Sequence, residues 1–169
     1  MRKMPVKAAL AGVAMLCGGA CSRAAPPSPE TAFVGTWQLV SLTTEWPGGR
    51  VTTPWGSSPI GHLSYGADGR MSAQLMDAGR NQADGRSFAP EFAPNVASYF
   101  GTFSIDTMRR VVRHRVAASI RAAEAGTLER LYELRGDTLV LRAAATMDSL
   151  PVTHTLVWLR GGSALADRP

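Results

Sequence analysis

Residues 61–76, GHLSYGADGRMSAQLM, give the clearest indication of the fold class. Two short runs in which apolar and polar residues partly alternate flank the tripeptide Ala67-Asp68-Gly69. A three-residue loop containing Gly between two such runs is typical of a tight β-hairpin, and it predicts a positive φ at Gly69. Because side chains alternate along a strand, one face of this hairpin is expected to carry Gly61, Leu63, Tyr65, Met71, Ala73 and Leu75. Polar groups that are able to point into a cavity follow the other face at His62, Ser64, Arg70, Ser72 and Gln74.

The rest of the chain continues in hairpins. A first strand is predicted over 33–44, which is rich in β-branched and aromatic residues, and a brief strand is predicted near Val51. Further strands are predicted over 99–106, 109–119, 128–134, 138–142 and 152–160, with turns at 106–108 and 135–137. No segment of any length has helical periodicity. Roughly eight strands in hairpin order predict an all-β, antiparallel up-and-down barrel, which encloses either a packed interior or one small-ligand cavity.

Side-chain alternation also predicts which residues of two strands face the interior. In the first strand Trp37, Leu39 and Ser41 fall on one face. In the strand over 109–119 the inward face is expected to carry Val112, His114, Val116 and Ala118. The arginines of this second segment then face solvent, or alternatively form a surface that attracts anionic lipid headgroups.

Four stretches are predicted to be irregular, among them 45–58, which is rich in Pro and Gly, and 120–126, which is a loop or one helical turn. Residues 77–96 form the longest one, with a short helix near Glu91 to Ser98. Three of its side chains are able to close the mouth of a barrel: Phe88, Phe92 and Pro94. The alternative is a surface loop without that role. Residues 143–151 are also predicted to be a loop.

The first twenty residues have the composition of a secretory signal peptide. A basic start with Arg2, Lys3 and Lys7 is followed by a short apolar run over 8–16 and by small residues before Cys21. The apolar run is too short to remain in a bilayer as a spanning helix. We therefore divide the chain into a signal peptide (1–20), a flexible tether rich in Ala, Pro and Ser (21–32), the barrel (33–160) and a tail (161–169).

Cys21 decides how the mature chain begins. A small-small-Cys step directly after an apolar run resembles a bacterial lipobox, in which the thiol is acylated and the Cys becomes the first residue. The protein would then be exported to the periplasm and anchored in a membrane by lipid chains. The alternative is an ordinary signal peptide cleaved near Ala24-Ala25, with an incidental Cys.

Removal of the signal peptide changes the charge balance. Three of the 18 Lys and Arg residues lie in it, so 15 cations remain against 13 acids, a net charge of about +2. An excess this small gives no argument for a nucleic-acid partner. Both cysteines, Cys17 and Cys21, lie at or before the cleavage point. The mature domain therefore has no disulfide, no thiol nucleophile and no cysteine metal site.

The chain resembles the bacterial lipocalin-like domain family from about Val34 to Arg160. The resemblance rests on GTW at 35–37, LVS at 39–41, GHLSY at 61–65, DGRMSAQLM at 68–76, residues 99–101, His114 with Ala118-Ser119, and LVW at 156–158. DGRMSAQLM is the most specific of these motifs. The resemblance implies an eight-stranded barrel that binds a small apolar or amphipathic molecule. It also implies that Arg160, late in the last strand, packs over Trp37 through a cation–π contact, as in lipocalins generally. Family members often carry a second His after the position of His114, where this chain has Arg115.

Few groups are available for chemistry inside such a barrel. The titratable or amide side chains that could face a cavity are His62, Tyr65, Gln74, Tyr99, His114, Tyr132 and His154. The three histidines have no tight metal-binding spacing, and there is no nucleophile elbow or phosphate loop, so neither a metal nor a cofactor is expected. We interpret Trp37 and Trp158 as core residues. The predicted ligand-binding residues are Tyr65, Gln74, Tyr99 and His114.

His114 is the most specific candidate. A neutral imidazole in an apolar barrel is able to act as a general base or to orient a ligand carbonyl, and the alternative is a buried His bonded to a neighbouring Tyr or Gln. The first functional hypothesis is an exported, lipid-anchored protein that binds a small hydrophobic or amphipathic molecule. The second is an isomerase or cyclase acting on such a molecule, with His114 as the acid–base residue. The third is an envelope assembly or stress protein with a filled barrel.

Overall fold

The computed structural model describes residues 29–77, 96–121 and 124–161. These residues form a short 3₁₀ helix, Pro29–Ala32, and nine strands: β1 (Gly35–Glu45), β2 (Val51–Thr52), β3 (Ile60–Tyr65), β4 (Arg70–Met76), β5 (Val96–Asp106), β6 (Val111–Ser119), β7 (Gly126–Arg135), β8 (Thr138–Met147) and β9 (Leu150–Arg160). The predicted signal peptide with Cys21, the tether up to residue 28 and the side chains of Phe88, Phe92 and Pro94 lie outside the described residues.

The strands close into a barrel of eight. Every neighbouring pair is antiparallel, the order from β3 to β9 follows the chain, and β1 pairs with both β3 and β9. The two-residue β2 adds to the end of β1 outside this ring. The predicted all-β, up-and-down antiparallel barrel is therefore confirmed. In the part of the chain that is described, no helix has the length and apolar character needed to cross a bilayer.

The hairpin from β3 to β4 has the predicted turn. The Gly66 amide donates to the Arg70 carbonyl at 2.8 Å, the Gly69 amide donates to the Gly66 carbonyl at 3.1 Å, and Gly69 has a φ of +79°. The positive φ at Gly69 is thus confirmed, and it is the reason that a residue without Cβ stands there. The faces are also as predicted, because the buried residues of the hairpin are Gly61, Leu63, Tyr65, Met71, Ala73 and Leu75.

Two β-bulges make two of the face predictions wrong. The register of β1 against β9 shifts between Leu39 and Ser41, so that Leu42 and Thr44 become buried and Ser41 leaves the face of Trp37 and Leu39. The pairing of β5 with β6 shifts in the same way, and Ala118 lies opposite the exposed Phe100 rather than inward. A bulge places one extra residue in a strand, so strict alternation fails beyond it.

Two predictions of irregular structure are wrong. Residues 143–151 are not a loop, because β8 and β9 continue through them to a two-residue turn at Asp148 and Ser149, with φ values of +50° and +64°. These two left-handed residues form the kind of turn that suits the twist of a hairpin, although neither is Gly. The helix predicted near Glu91 to Ser98 is wrong over 96–98, because these residues belong to β5. The rest of the predicted helix lies outside the described residues.

The two ends of the barrel differ in their interior. One end, called here the packed end, has the turns 66–69, 107–110 and 136–137 and is covered by the residues before β1. There Phe33 packs edge-on against Tyr65 and Tyr132, at centroid distances of 5.9 and 4.9 Å. Trp37 is fully buried and donates from Nε1 to the Phe33 carbonyl at 2.9 Å. Arg160 lies over the Trp37 ring at 4.2 Å, which confirms the expected cation–π contact.

Candidate functional site

The opposite end of the barrel, called here the cavity end, is hollow. A cavity of about 630 Å³ extends into the barrel from this end. Most of its wall is apolar, and the larger apolar residues are Leu42, Trp55, Leu63, Leu75, Leu141, Leu156 and Trp158. The rim is formed by residues of the connections between strands, including Pro54, Arg121 and Glu124. A concave, largely apolar space of this size is typical of a small-molecule site.

His114 stands in the cavity wall between two tyrosines. Its Nε2 lies 2.7 Å from the hydroxyl of Tyr65, and its Nδ1 lies 3.1 Å from the hydroxyl of Tyr99. The three side chains come from β6, β3 and β5, and all three are buried. The structure thus brings together three of the four residues predicted to bind ligand. Of these three, His114 and Tyr99 line the cavity itself.

Burial sets the protonation state of this group. It lowers the pKa of His114 from 6.5 to about 3, helped by the positive charge of Arg130, so the imidazole is neutral at pH 7. Burial raises the pKa of Tyr65 and of Tyr99, so both hydroxyls keep their protons. One nitrogen of the neutral imidazole accepts a hydrogen bond and the other donates one.

The surroundings of Tyr65 decide the direction of these hydrogen bonds. Within the described residues the hydroxyl of Tyr65 has no partner other than His114. If Tyr65 accepted from His114, its own O–H would be buried without an acceptor, which is costly. Tyr65 therefore donates to Nε2, and Nδ1–H donates to the oxygen of Tyr99. The O–H of Tyr99 is then left to donate to something else on the cavity side.

Arg130 is a site residue that the sequence analysis missed. It lies in β7, where Leu128, Tyr132 and Leu134 on the same face are packed against the core while the alternate residues Glu129 and Leu131 are exposed. Arg130 is half-buried and lines the cavity. Its charge acts on the pKa of Tyr65, Tyr99, His114 and His154. Period-two alternation in LERLYEL was the signal that could have found it, since Arg130 shares the face of apolar residues.

Gln74 does not line the cavity, and the prediction that it does is wrong. It is exposed on the outer face of β4, where it pairs with His62 on β3. Residues directly opposite each other in an antiparallel pair point to the same side of the sheet, so Met71 shares the side of its partner Tyr65. Gln74 lies three positions after Met71 and therefore points to the other side. His62 is exposed as well, and its Nε2 lies 3.0 Å from the Ser64 hydroxyl.

Two further polar groups belong to the cavity. His154 is half-buried in its wall, with Nδ1 2.9 Å from the hydroxyl of the fully buried Thr44. Burial lowers the pKa of His154, and Arg130 adds to the effect. Trp158 is buried as predicted, but it also lines the cavity, and its Nε1–H is a buried donor without a hydrogen-bond partner among the described residues.

The arrangement favours binding over proton transfer. Within the three described ranges, no group of three or more His, Cys, Asp or Glu side chains is placed to hold a metal ion. The histidines that face the interior, His114 and His154, lie in the cavity wall, whereas His62 is outside it. Neutral His114 with a pKa of about 3 is a weak base at neutral pH. What the wall offers a ligand is apolar surface with a few hydrogen-bond donors at defined places.

Comparison with known proteins gives one finding on the family. A family model described as a lipocalin-like domain matches residues 34–161, which is most of the chain and nearly all of the barrel. No curated protein matches the chain. The family indicated by the sequence motifs at 61–76 and 35–41 is the family that this match gives.

Proposed function

The chain belongs to the lipocalin-like domain family, and we propose that it binds a small, mainly apolar molecule inside its barrel. The observation that carries this proposal is the cavity of about 630 Å³ with its leucine- and tryptophan-rich wall. A barrel of eight strands has room either for side chains or for one small ligand. At the cavity end the interior is open, so the second case applies here.

Apolar contact supplies the affinity in this proposal. Burial of apolar surface contributes about 25 cal/mol per Å² removed from water, and a ligand in a concave site is covered on most sides. The polar groups Tyr99, His114 and Arg130 select among apolar molecules by the hydrogen bonds that they offer. A filled barrel without a ligand, as in a purely structural envelope protein, is disfavoured by the size of the cavity.

A cavity-blocking variant tests the proposal. Ala97 is buried in the cavity wall, so Ala97→Phe places a phenyl ring where a ligand would lie. We expect the neutral fluorophore N-phenyl-1-naphthylamine to bind the unaltered chain saturably at one site. The Ala97→Phe chain should bind it at least about tenfold more weakly, a change of roughly 1.4 kcal/mol.

Ala118→Phe is the matched control, because Ala118 is exposed on the outer face of β6. It adds the same ring to the surface and should leave binding unchanged. Thermal unfolding of both variants checks that they remain folded. Equal affinity of Ala97→Phe and the unaltered chain, or no saturable binding at all, would overturn the proposal.

Export and lipid anchoring form the second part of the proposed function. The basic start, the apolar run over 8–16 and the small residues before Cys21 support a chain that is carried to the periplasm and acylated on Cys21. Cys21→Ala should abolish incorporation of labelled palmitate and release the protein from the membrane fraction. Palmitate incorporation that persists in Cys21→Ala would contradict this part of the proposal.

The enzymatic alternative has one observation in its favour, which is the position of His114 in the cavity wall. An isomerase or cyclase that holds a hydrophobic molecule there would use His114 to orient a carbonyl more than to carry a proton, given its low pKa. Turnover of a bound molecule that is lost in His114→Gln, with affinity kept within threefold, would favour the enzyme. Binding without turnover in the unaltered chain would reject it.

A further inference from the structure

We infer that the molecule bound in the barrel is an apolar carboxylic acid, with its carboxylate held by Arg130, Tyr99 and neighbouring donors. This inference rests on the proposed function, because it names the class of ligand for the same cavity. The observations behind it are the charge of the cavity wall and its excess of hydrogen-bond donors. They are independent of the apolar volume that supports binding in general.

Arg130 brings a positive charge into the barrel and has no acidic partner among the described residues. Its side chain shares the inward face of β7 with Leu128 and Tyr132. Its Nη1 donates to the main-chain carbonyl of Glu129 at 3.1 Å, and none of the ion pairs within the described ranges includes Arg130. A charge in an apolar surrounding is costly unless an opposite charge compensates it, so the cavity favours an anion.

Among the described residues that line the cavity, one carries a carboxylate, and that carboxylate is already engaged. Glu124, at the rim, accepts from the hydroxyl of Ser119 at 2.7 Å and lies 3.9 Å from Arg121. Within the described residues Glu124 is thus satisfied by its own neighbours. The charge of Arg130 is left for a group that is not part of the described protein.

The uncharged groups of the cavity have the same preference. Tyr65 donates to His114, and both His114 and Arg130 donate to the oxygen of Tyr99, so the O–H of Tyr99 is left to donate toward the cavity. The Nε1–H of Trp158 is a second donor, buried and without a partner among the described residues. A buried donor without an acceptor costs free energy that a ligand oxygen would recover. Together with Arg130, these groups make the wall rich in hydrogen-bond donors, so it favours a head group that accepts hydrogen bonds and donates none.

A carboxylate meets both demands with a single charge and a small volume. It carries one negative charge and accepts several hydrogen bonds, and charge-assisted hydrogen bonds are stronger than neutral ones. An alcohol would bring a further donor into a wall that already has an excess. A cationic head group would be repelled by Arg130.

Three ligands with the same tail test this inference: dodecanoate, dodecanol and dodecyltrimethylammonium. Each is titrated below its aggregation limit into the full chain carrying Cys21→Ala, so that no attached acyl chain competes, with affinity measured by calorimetry. We expect dodecanoate to bind at least about tenfold more tightly than dodecanol, and dodecyltrimethylammonium to bind most weakly. Arg130→Gln should remove the preference for dodecanoate and leave the affinity for dodecanol within about threefold.

Arg115→Gln is the matched control, because it removes the same charge from an exposed position on β6. It should keep the preference for dodecanoate. Equal binding of dodecanoate and dodecanol by the unaltered cavity would overturn the carboxylate inference and leave the proposed function standing. Absence of binding for all three ligands would overturn both. Because the comparison of three ligands needs no substitution in the cavity wall, the test holds even if Arg130→Gln fails to fold.

Discussion

The two ends of this barrel are built from the same eight strands and yet have opposite interiors. At the packed end Phe33, Trp37 and Tyr65 fill the space, and Arg160 fixes the residues before β1 over it. At the cavity end leucines and Trp158 surround a space of about 630 Å³, with Arg130 and His114 in its wall. The strands cannot explain the difference, because each one runs through both ends. The difference comes from which side chains point inward at each level and from the segment that covers one end.

The two ends also differ in how far their polar groups are satisfied within the protein. The packed end satisfies its polar groups internally, as in the bond from Trp37 Nε1 to the Phe33 carbonyl and those from Arg160 to the Val34 and Ala32 carbonyls. The cavity end leaves Trp158 Nε1–H without a partner and the charge of Arg130 without an acid within the described residues. We therefore expect substitutions at the packed end to change stability and leave binding unchanged, and substitutions at the cavity end to change binding in addition to stability.

The largest effect is expected for a pair of leucines on one strand. Leu139 and Leu141 lie two positions apart on β8 and both are buried, but only Leu141 lines the cavity. We expect Leu139→Ala to lower the free energy of unfolding by about 4 kcal/mol and Leu141→Ala by about 2 kcal/mol, because Leu141 already borders empty space. Urea unfolding measures both values. Equal losses would show that the two ends do not differ in packing.

The next effect is a dependence of stability on pH. The pKa of His114 is about 3 in the folded protein and about 6.5 when unfolded, so the unfolded chain takes up the proton first as the pH falls. The contribution to stability is complete above about pH 6.5 and is lost toward pH 3. Between pH 7 and pH 4.5 we expect a loss of about 2–3 kcal/mol from this residue.

His114→Gln isolates that contribution, because the variant keeps hydrogen-bonding groups but does not titrate. Three other groups with a lowered pKa remain in both proteins and lose stability in the same direction. The Arg109 amide and then Arg113 lower the pKa of Asp106, Arg142 lowers that of Glu133, and burial lowers that of His154. Urea unfolding at the two pH values should therefore give a smaller loss for His114→Gln. An identical loss in both proteins would mean that His114 is not held neutral by burial.

A smaller effect is expected where Arg160 covers the packed end. Arg160→Ala removes hydrogen bonds to the Val34 and Ala32 carbonyls and the contact over Trp37, so we expect a loss of about 2 kcal/mol. Arg142→Ala is the control, because its ion pair with Glu133 lies at the surface and should contribute less than about 1 kcal/mol. Ligand affinity should be unchanged in both variants. A large loss of affinity in Arg160→Ala would show that the packed end also contributes to ligand binding.

The smallest effect is expected at Gln74. Because this side chain is exposed outside the barrel, Gln74→Ala should change stability by less than about 0.5 kcal/mol and leave ligand affinity unchanged. Calorimetric titration with dodecanoate and urea unfolding provide both readouts. A clear loss of affinity would restore the interpretation of Gln74 as a ligand-binding residue.

Local patterns in the sequence were sufficient for the barrel and for part of the site. Gly69 in its three-residue loop, the buried faces of β3 and β4, and the family motifs lead to the correct fold class. Alternation places His114 inward, and the structure adds that Tyr65 and Tyr99 come from β3 and β5 to meet it. That meeting depends on the register of the strands across the barrel, which no local pattern contains.

The wrong predictions have different physical causes. Ser41 and Ala118 lie beyond bulges, which a sequence rarely marks. Residues 143–147 are mostly alanine, a poor strand former, and their pairing with β9 overrides that preference. Arg130 was overlooked because a charged residue suggests an outer face, whereas its neighbours at alternate positions point inward.

A methyl NMR titration of the chain with dodecanoate tests the ligand site at the cavity end most directly. We expect shifts only for leucines that line the cavity, such as Leu63, Leu141 and Leu156, while Leu139, on the same strand as Leu141, stays unchanged. Shifts at Leu139, or at the exposed Leu131 and Leu150 instead of the cavity leucines, would contradict this expectation.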